Sequence, residues 1–193
     1  MTTIDEQLVS YIEDAHALEQ MMELALQGMM SSAPDFPEFQ DPLGHHLEET
    51  RRHKQLLEER LRAHGGSAAK TKDTAMMFGA LGLAALNKVR SDTAGKVARD
   101  GFAAEHLEIA CYELLERVAT RAGDEQTAEV ARRNKADEVA MAAKLNASWD
   151  LALDLSLKQE GLEGAPPISP PGSMQGASPP EGAPSQVPPE QNR

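Results

Sequence analysis

Proline is the residue that a helix interior tolerates least, because it lacks a backbone N–H and its ring clashes with the preceding turn. This chain of 193 residues carries twelve prolines, and nine of them follow Ala165. None lies between Pro42 and Pro166, so that stretch is free to be helical throughout. From Gly161 onward there is no aromatic residue, and Leu162, Ile168 and Val187 are the only branched aliphatics. A segment such as Ser169-Pro170-Pro171-Gly172-Ser173 buries too little surface to offset its chain entropy. The expected organisation is a folded domain over residues 1–160 and a disordered tail over 161–193. The tail is a solubilising extension or a recognition segment for a partner that the sequence does not identify.

The proline-free stretch reads as long helices. Thr3 and Glu6 form a capping box ahead of an apolar stripe of Leu8, Ile12, Ala15, Met22, Ala25 and Met29. This first helix is expected to end near Met30. A second starts between Glu38 and Asp41, takes Pro42 in its first turn and stops at Gly65-Gly66. Residues Asp73 to Arg90 suggest a shorter, largely apolar helix that covers a bundle end or makes an oligomer contact. A third long helix runs from about Thr93 to Ala122, closed by Gly123. A fourth starts near Asp124 and reaches toward Gln159. Four long helices with a short crossover define an all-α four-helix bundle.

Composition removes several alternatives. A net charge of −12 repels phosphate backbones, so no nucleic-acid partner is expected. The single cysteine, Cys111, excludes an internal disulfide framework and a cysteine-built zinc cage. Aromatic content of 4% disfavours a β-sandwich or barrel. The longest apolar run, Ala75 to Leu86, is about half of the ~20 residues that a membrane span needs. The acidic N-terminus lacks an apolar signal core. These features point to a cytoplasmic protein with no membrane partner.

The apolar stripes themselves contain acids. Glu138 sits in a seven-residue repeat with Ala131, Leu145 and Ala152, and Glu19 shares a stripe with Ala15, Met22 and Leu26. Glu105 and Glu108 interrupt Phe102, Ile109, Tyr112 and Leu115, while His46, Glu49 and His53 share one helix face. Burying unpaired carboxylates costs several kcal/mol each, and four facing one another repel. Either a cation sits among them or the helices turn them to water.

Spacing favours the cation. Glu19 and Glu49 are 30 residues apart, as are Glu108 and Glu138. The midpoints, residues 34 and 123, fall at the two hairpin turns. Residues equidistant from an antiparallel turn stand level, so each hairpin brings two glutamates to one height. A shift of 89 positions superimposes the pairs and maps His16 onto Glu105. A carboxylate cage with imidazole suits iron or manganese. Two such ions sharing carboxylates can reduce dioxygen or peroxide by two electrons, or oxidise Fe²⁺.

His46-Leu47-Glu48-Glu49-Thr50 on the second helix and Glu105-His106-Leu107-Glu108-Ile109-Ala110 with Tyr112 on the third resemble the YciF-type bacterial stress-protein family of the ferritin-like superfamily. The resemblance covers about residues 5 to 157 and omits the tail. It implies a ferritin-like four-helix bundle with an additional short helix between the second and third long helices, a dinuclear metal centre and a homodimer. Carried over, it assigns Glu19, Glu49, Glu108 and Glu138 as the helix carboxylates, Glu105 as an extra acid and His53 as the imidazole ligand. His46 and His106 are read as orienting or structural groups, and His45 and His64 as exposed. Tyr112 is expected to pack in the core and donate a hydrogen bond to a carboxylate.

The chain also departs from the ferritin-like pattern, which pairs Glu with His three residues later. Arg52 follows Glu49 at that spacing, and Met141 follows Glu138. The second metal position is thus expected to be incomplete. Two functions follow as alternatives: a dinuclear oxidoreductase or iron handler, and a non-catalytic bundle dimer with a degenerate metal site.

Overall fold

The computed structural model describes residues 2–32, 37–66 and 94–162. Five helices make up this part: α1 (Ile4–Ser32), α2 (Pro37–Ala63), α3 (Ala94–Ala122), α4 (Glu125–Asn146) and α5 (Trp149–Gln159). The described residues are all-α, and four of the helices form a ferritin-like bundle. None of these helices is long and apolar enough to cross a membrane. The expected helix over Asp73 to Arg90 and nearly all of the expected tail lie outside the described residues.

Local chemistry sets the helix ends. The Thr3 N–H donates to Glu6 Oε2 at 2.8 Å, and the Glu6 N–H donates to Thr3 Oγ1 at 3.2 Å, completing the capping box. α2 begins earlier than expected, at Pro37, where a proline fixes φ for the first helical residue and forfeits no bond. Pro42 consequently lies beyond the first turn, inside the helix. At the ends of α2 and α3, Gly65 and Gly123 adopt φ of 73° and 74°. There the Gly66 N–H reaches back to the Leu61 carbonyl at 2.8 Å, and the Asp124 N–H to that of Ala119 at 3.0 Å. A side chain would strain both positions, so glycine specifies both stops.

The fourth long helix does not run through to Gln159. It breaks at Ala147 and Ser148, where the Ser148 hydroxyl donates to the Leu145 carbonyl at 2.9 Å. A serine hydroxyl that bonds the backbone locally competes with the helical ladder. The chain then restarts as α5, which packs on α3. Ser156 Oγ accepts the Gly95 N–H at 2.7 Å, and Gln159 Oε1 accepts the Ala94 N–H at 3.1 Å. These bonds satisfy two of the first amides of α3, which have no partner within their own helix.

The core is divided along the bundle axis. At one end, Leu8 and Ile12 of α1 pack with Leu57 and Leu61 of α2, Tyr112, Leu115 and Ala119 of α3, and Ala128 and Ala131 of α4. The start of α1 thus meets the ends of α2 and α3 and the start of α4, so α2 and α3 run parallel. At the other end, Leu26, Leu43, Leu47, Met141 and Leu145 form a second apolar cluster. Between the two lie a layer of buried polar side chains and, beside it, a small apolar cluster of Leu18, Met22 and Ala104.

Candidate metal centre

Every long helix contributes to that layer. His46, His53, Glu19, Glu105, Glu108 and Glu138 are all at most 1% exposed. They gather into two donor groups that share one residue. His46, Glu105, Glu108 and Glu138 offer one set of ligand atoms, all within 4.8 Å of one another, and Glu19, His53 and Glu138 offer the other. Glu138 divides its two oxygens between them: Oε2 lies 3.4 Å from His46 Nε2, and Oε1 lies 2.9 Å from His53 Nδ1.

The contacts are close but poorly directed. His46 Nε2 is 3.2 Å from Glu105 Oε1, and His53 Nδ1 is 3.3 Å from Glu19 Oε1. Neither ring nitrogen has a hydrogen bond of acceptable geometry. The same holds for both oxygens of Glu108, both of Glu138, Glu19 Oε2 and Glu105 Oε2. Buried polar atoms are nearly always paired, so a cluster of orphans aimed into one volume makes this layer a candidate cation site. The residues therefore fit a metal. Carboxylate oxygens with imidazole nitrogens are a donor set for iron or manganese.

The electrostatics carry the same message. Burial raises the Glu108 carboxyl well above the usual carboxylate range, and the charges of Glu19, Glu138 and Glu105 raise it further. Burial also raises Glu19 and Glu138, against the pull of the facing imidazoles. Burial opposes charge on both histidines, yet the carboxylates outweigh it. Glu105, Glu138 and Glu49 push His46 up to about 9, and Glu138 and Glu19 push His53 up to about 10.

A buried phenol supports the layer. Tyr112 donates its hydroxyl hydrogen to Glu19 Oε1 and accepts from Asn134 Nδ2 at 3.0 Å. Its ring meets His53 edge-on with centroids 6.1 Å apart.

The structure brings Glu19, His53, Glu105, Glu108 and Glu138 together. Glu49 stands at the same level, but its carboxylate takes His45 Nδ1 at 3.2 Å and His46 Nδ1 at 3.1 Å and belongs to neither donor group. His46, read from sequence as an orienting or structural group, is instead fully buried and faces the acids. The signal that identifies it is its seven-residue separation from His53, which puts both rings on one helix face. His106 is exposed and bonds the Phe102 carbonyl at 2.8 Å. His64 is half-buried rather than exposed and bonds Asp124 at 2.7 Å. Asp137, which no pattern in the sequence singles out, contacts His53 Nε2 at 3.0 Å.

Fold and site together define a ferritin-like helical bundle with a buried carboxylate and histidine layer. The chain belongs to the family described as domain of unknown function DUF892, whose profile matches residues 3–155. A solved protein from Xanthomonas campestris pv. campestris is 26% identical with a TM-score of 0.69, covering 83% of this chain and 100% of its own. The Escherichia coli stress protein YciF is 18% identical with a TM-score of 0.60, covering 80% of this chain and 97% of its own. The bacterioferritin of Desulfovibrio desulfuricans, a protein with a diiron site, is 17% identical with a TM-score of 0.67, over 86% of this chain and 94% of its own. The likeness to these last two is one of fold, and it agrees with the resemblance that the helix motifs carry.

Proposed function

We propose that the buried layer is a dinuclear centre for iron or manganese. The observation that carries this reading is the sharing of Glu138 between two donor groups whose facing atoms lack other partners. Charge supports it. Two divalent ions would balance the four buried carboxylates of Glu19, Glu105, Glu108 and Glu138 with both imidazoles neutral. Glu138 would bridge, Glu105, Glu108 and His46 would complete the first position, and Glu19 and His53 the second.

When bound, such a pair supplies two electrons to dioxygen or peroxide, or accepts them from Fe²⁺. The protein's own part is to hold the donors in a dry layer between apolar clusters and to keep the Glu19 carboxylate oriented through Tyr112. The E. coli structural relative is a stress protein, which supports oxidant or iron handling as the role. A cytoplasmic homodimer completes the reading, with the chain's net charge of −12 keeping it off nucleic acid. A partner for the tail, residues 161–193, belongs to the same reading.

The second donor group has three residues against four in the first. That favours, as a second reading, a bundle that fills one position only and serves a structural role. Elemental analysis of protein purified without chelator, before and after anaerobic Fe²⁺ loading, separates the cases. About two ions per chain support the dinuclear centre, and about one supports the degenerate site. None after loading overturns both.

A further inference from the structure

The imidazoles of the two donor groups, His46 and His53, share a pattern that the donor groups alone do not explain; a third buried histidine, His16, also has one bonded and one orphan nitrogen but belongs to neither group. Each ring has one nitrogen with a properly directed hydrogen bond and one with none. In His46 the bonded nitrogen is Nδ1, to Glu49 at 3.1 Å, and the orphan is Nε2. In His53 the roles are exchanged: Nε2 bonds Asp137 Oδ2 at 3.0 Å, and Nδ1 is the orphan. Both orphans face the acids of the buried layer. Both bonded nitrogens face a carboxylate outside the two donor groups.

Asp137 is suited to this task. It precedes Glu138 on α4, so its side chain points away from the layer, toward α2. Its carboxylate is one-third exposed, at 33%, and lies outside both donor groups. The same Oδ2 accepts from Arg52 at 2.6 Å, which pins the carboxylate against the face of α2 that carries His53. Arg52 stands where the ferritin-like pattern puts a histidine after the helix glutamate, and here it serves the adjacent ring instead.

We infer that Asp137 is the positioning residue of the second metal site: by accepting the Nε2 hydrogen of His53 it fixes the tautomer whose free lone pair is on Nδ1, aimed at the ion shared with Glu19 and Glu138. Glu49 does the corresponding work for His46, with the opposite nitrogen. A carboxylate behind a ligating imidazole sets ring orientation and raises ligand basicity, and its loss typically lowers metal affinity ten- to a hundredfold. This inference rests on the metal-centre reading and names the residue that makes its three-donor half competent.

The test uses the full chain as wild type, Asp137→Ala and Asp137→Asn, titrated with Co²⁺ while visible absorption and ion count are followed. Circular dichroism confirms that each variant is folded. In Asp137→Ala the second ion is expected to bind about ten- to a hundredfold more weakly with an altered spectrum, while the first is unchanged. Asp137→Asn keeps a carbonyl acceptor and is expected to recover most of the loss. In the Zn²⁺-loaded wild type, ¹⁵N histidine NMR is expected to find the proton of His53 on Nε2 and that of His46 on Nδ1. Unchanged affinity in Asp137→Ala, an Asp137→Asn variant as weak as Asp137→Ala, or a His53 proton on Nδ1 would each overturn the inference. Wild-type protein that takes up neither Co²⁺ nor Zn²⁺ would overturn the metal centre itself, a separate and recognisable failure.

Discussion

His53 Nδ1 and Glu138 Oε1 stand 2.9 Å apart in the buried middle of the bundle, and no hydrogen bond of proper geometry joins them. The two groups are close, but their angles do not suit a hydrogen bond. The neighbouring contacts among His46, Glu105 and Glu138 have the same character. On the proposed reading, an ion placed among the donors would complete such a layer.

Because Glu138 serves both groups, its removal has a wider effect than that of any other acid. Glu138→Ala is expected to abolish binding at both positions. Glu108→Ala is expected to lose the ion held with His46 and to retain the one held with His53. Metal counted per chain after loading and desalting checks both variants. Two ions remaining on Glu138→Ala would show that the groups do not share this residue.

Glu108 has no imidazole against it, and both of its oxygens are unpaired. Its folded carboxyl is raised above its unfolded value, chiefly by burial. A raised acid binds its proton more tightly when folded, so metal-free stability declines as pH climbs above about 4.5 toward the folded value. The isosteric Glu108→Gln has no charge to bury. The variant is expected to be more stable than wild type at neutral pH by about 1–3 kcal/mol, and to show a flatter stability profile. Urea denaturation of chelator-treated protein between pH 4 and 8 measures both.

Metal uptake must displace protons. His46 is held up to about 9 and His53 up to about 10, so near neutral pH both rings are protonated in the metal-free protein. Ligation requires the neutral ring. Affinity is expected to strengthen with rising pH through the neutral range toward pH 9, with protons released on binding. Calorimetric titration in two buffers of different ionisation enthalpy gives the proton count, and a pH-independent affinity would contradict the assigned ligands.

A separate clamp closes the far end of the bundle. Asp124 caps α4 by accepting the Thr127 N–H at 3.1 Å, and it also accepts from Arg60 at 3.1 Å and bonds His64. Burial raises its carboxyl, but the bonds from Thr127 and His64 and the charge of Arg60 outweigh this and hold it low. The stability it supplies is present above its unfolded value near 3.8 and is lost as pH falls through the lower folded value. Asp124→Ala is expected to cost about 1–2 kcal/mol at neutral pH, with the difference narrowing in acid. Chemical denaturation at pH 7 and pH 3 tests this.

The helices were legible because their punctuation is local: Thr3 with Glu6, Gly65 and Gly123 act on their own turns. The level of the site was legible because hairpin symmetry fixes height. Orientation about each helix axis was not. His46 and Glu49 are three residues apart, so their side chains leave α2 about 60° apart, and only packing decides which one faces inward. Asp137 was hidden for a related reason. Beside Glu138 it reads as a surface acid, and the packing of α2 on α4 is what sets it against His53. The break at Ser148 is a tightened turn, in which the Ser148 N–H and hydroxyl both bond the Leu145 carbonyl, set within an otherwise continuous apolar repeat.

The separation of the two larger apolar clusters by the polar layer has a consequence for how the molecule breathes. In most bundles amide exchange is slowest at mid-helix and fastest at the frayed ends. Here the two larger apolar clusters lie toward the ends, and the waist holds mutually repelling acids beside only the small cluster of Leu18, Met22 and Ala104. Without metal, the amides around Glu19, His53, Glu108 and Glu138 should exchange faster than those around Leu57 and Leu115. An ion bound at the waist would reverse that order, so the centre would act as a rivet joining two half-cores.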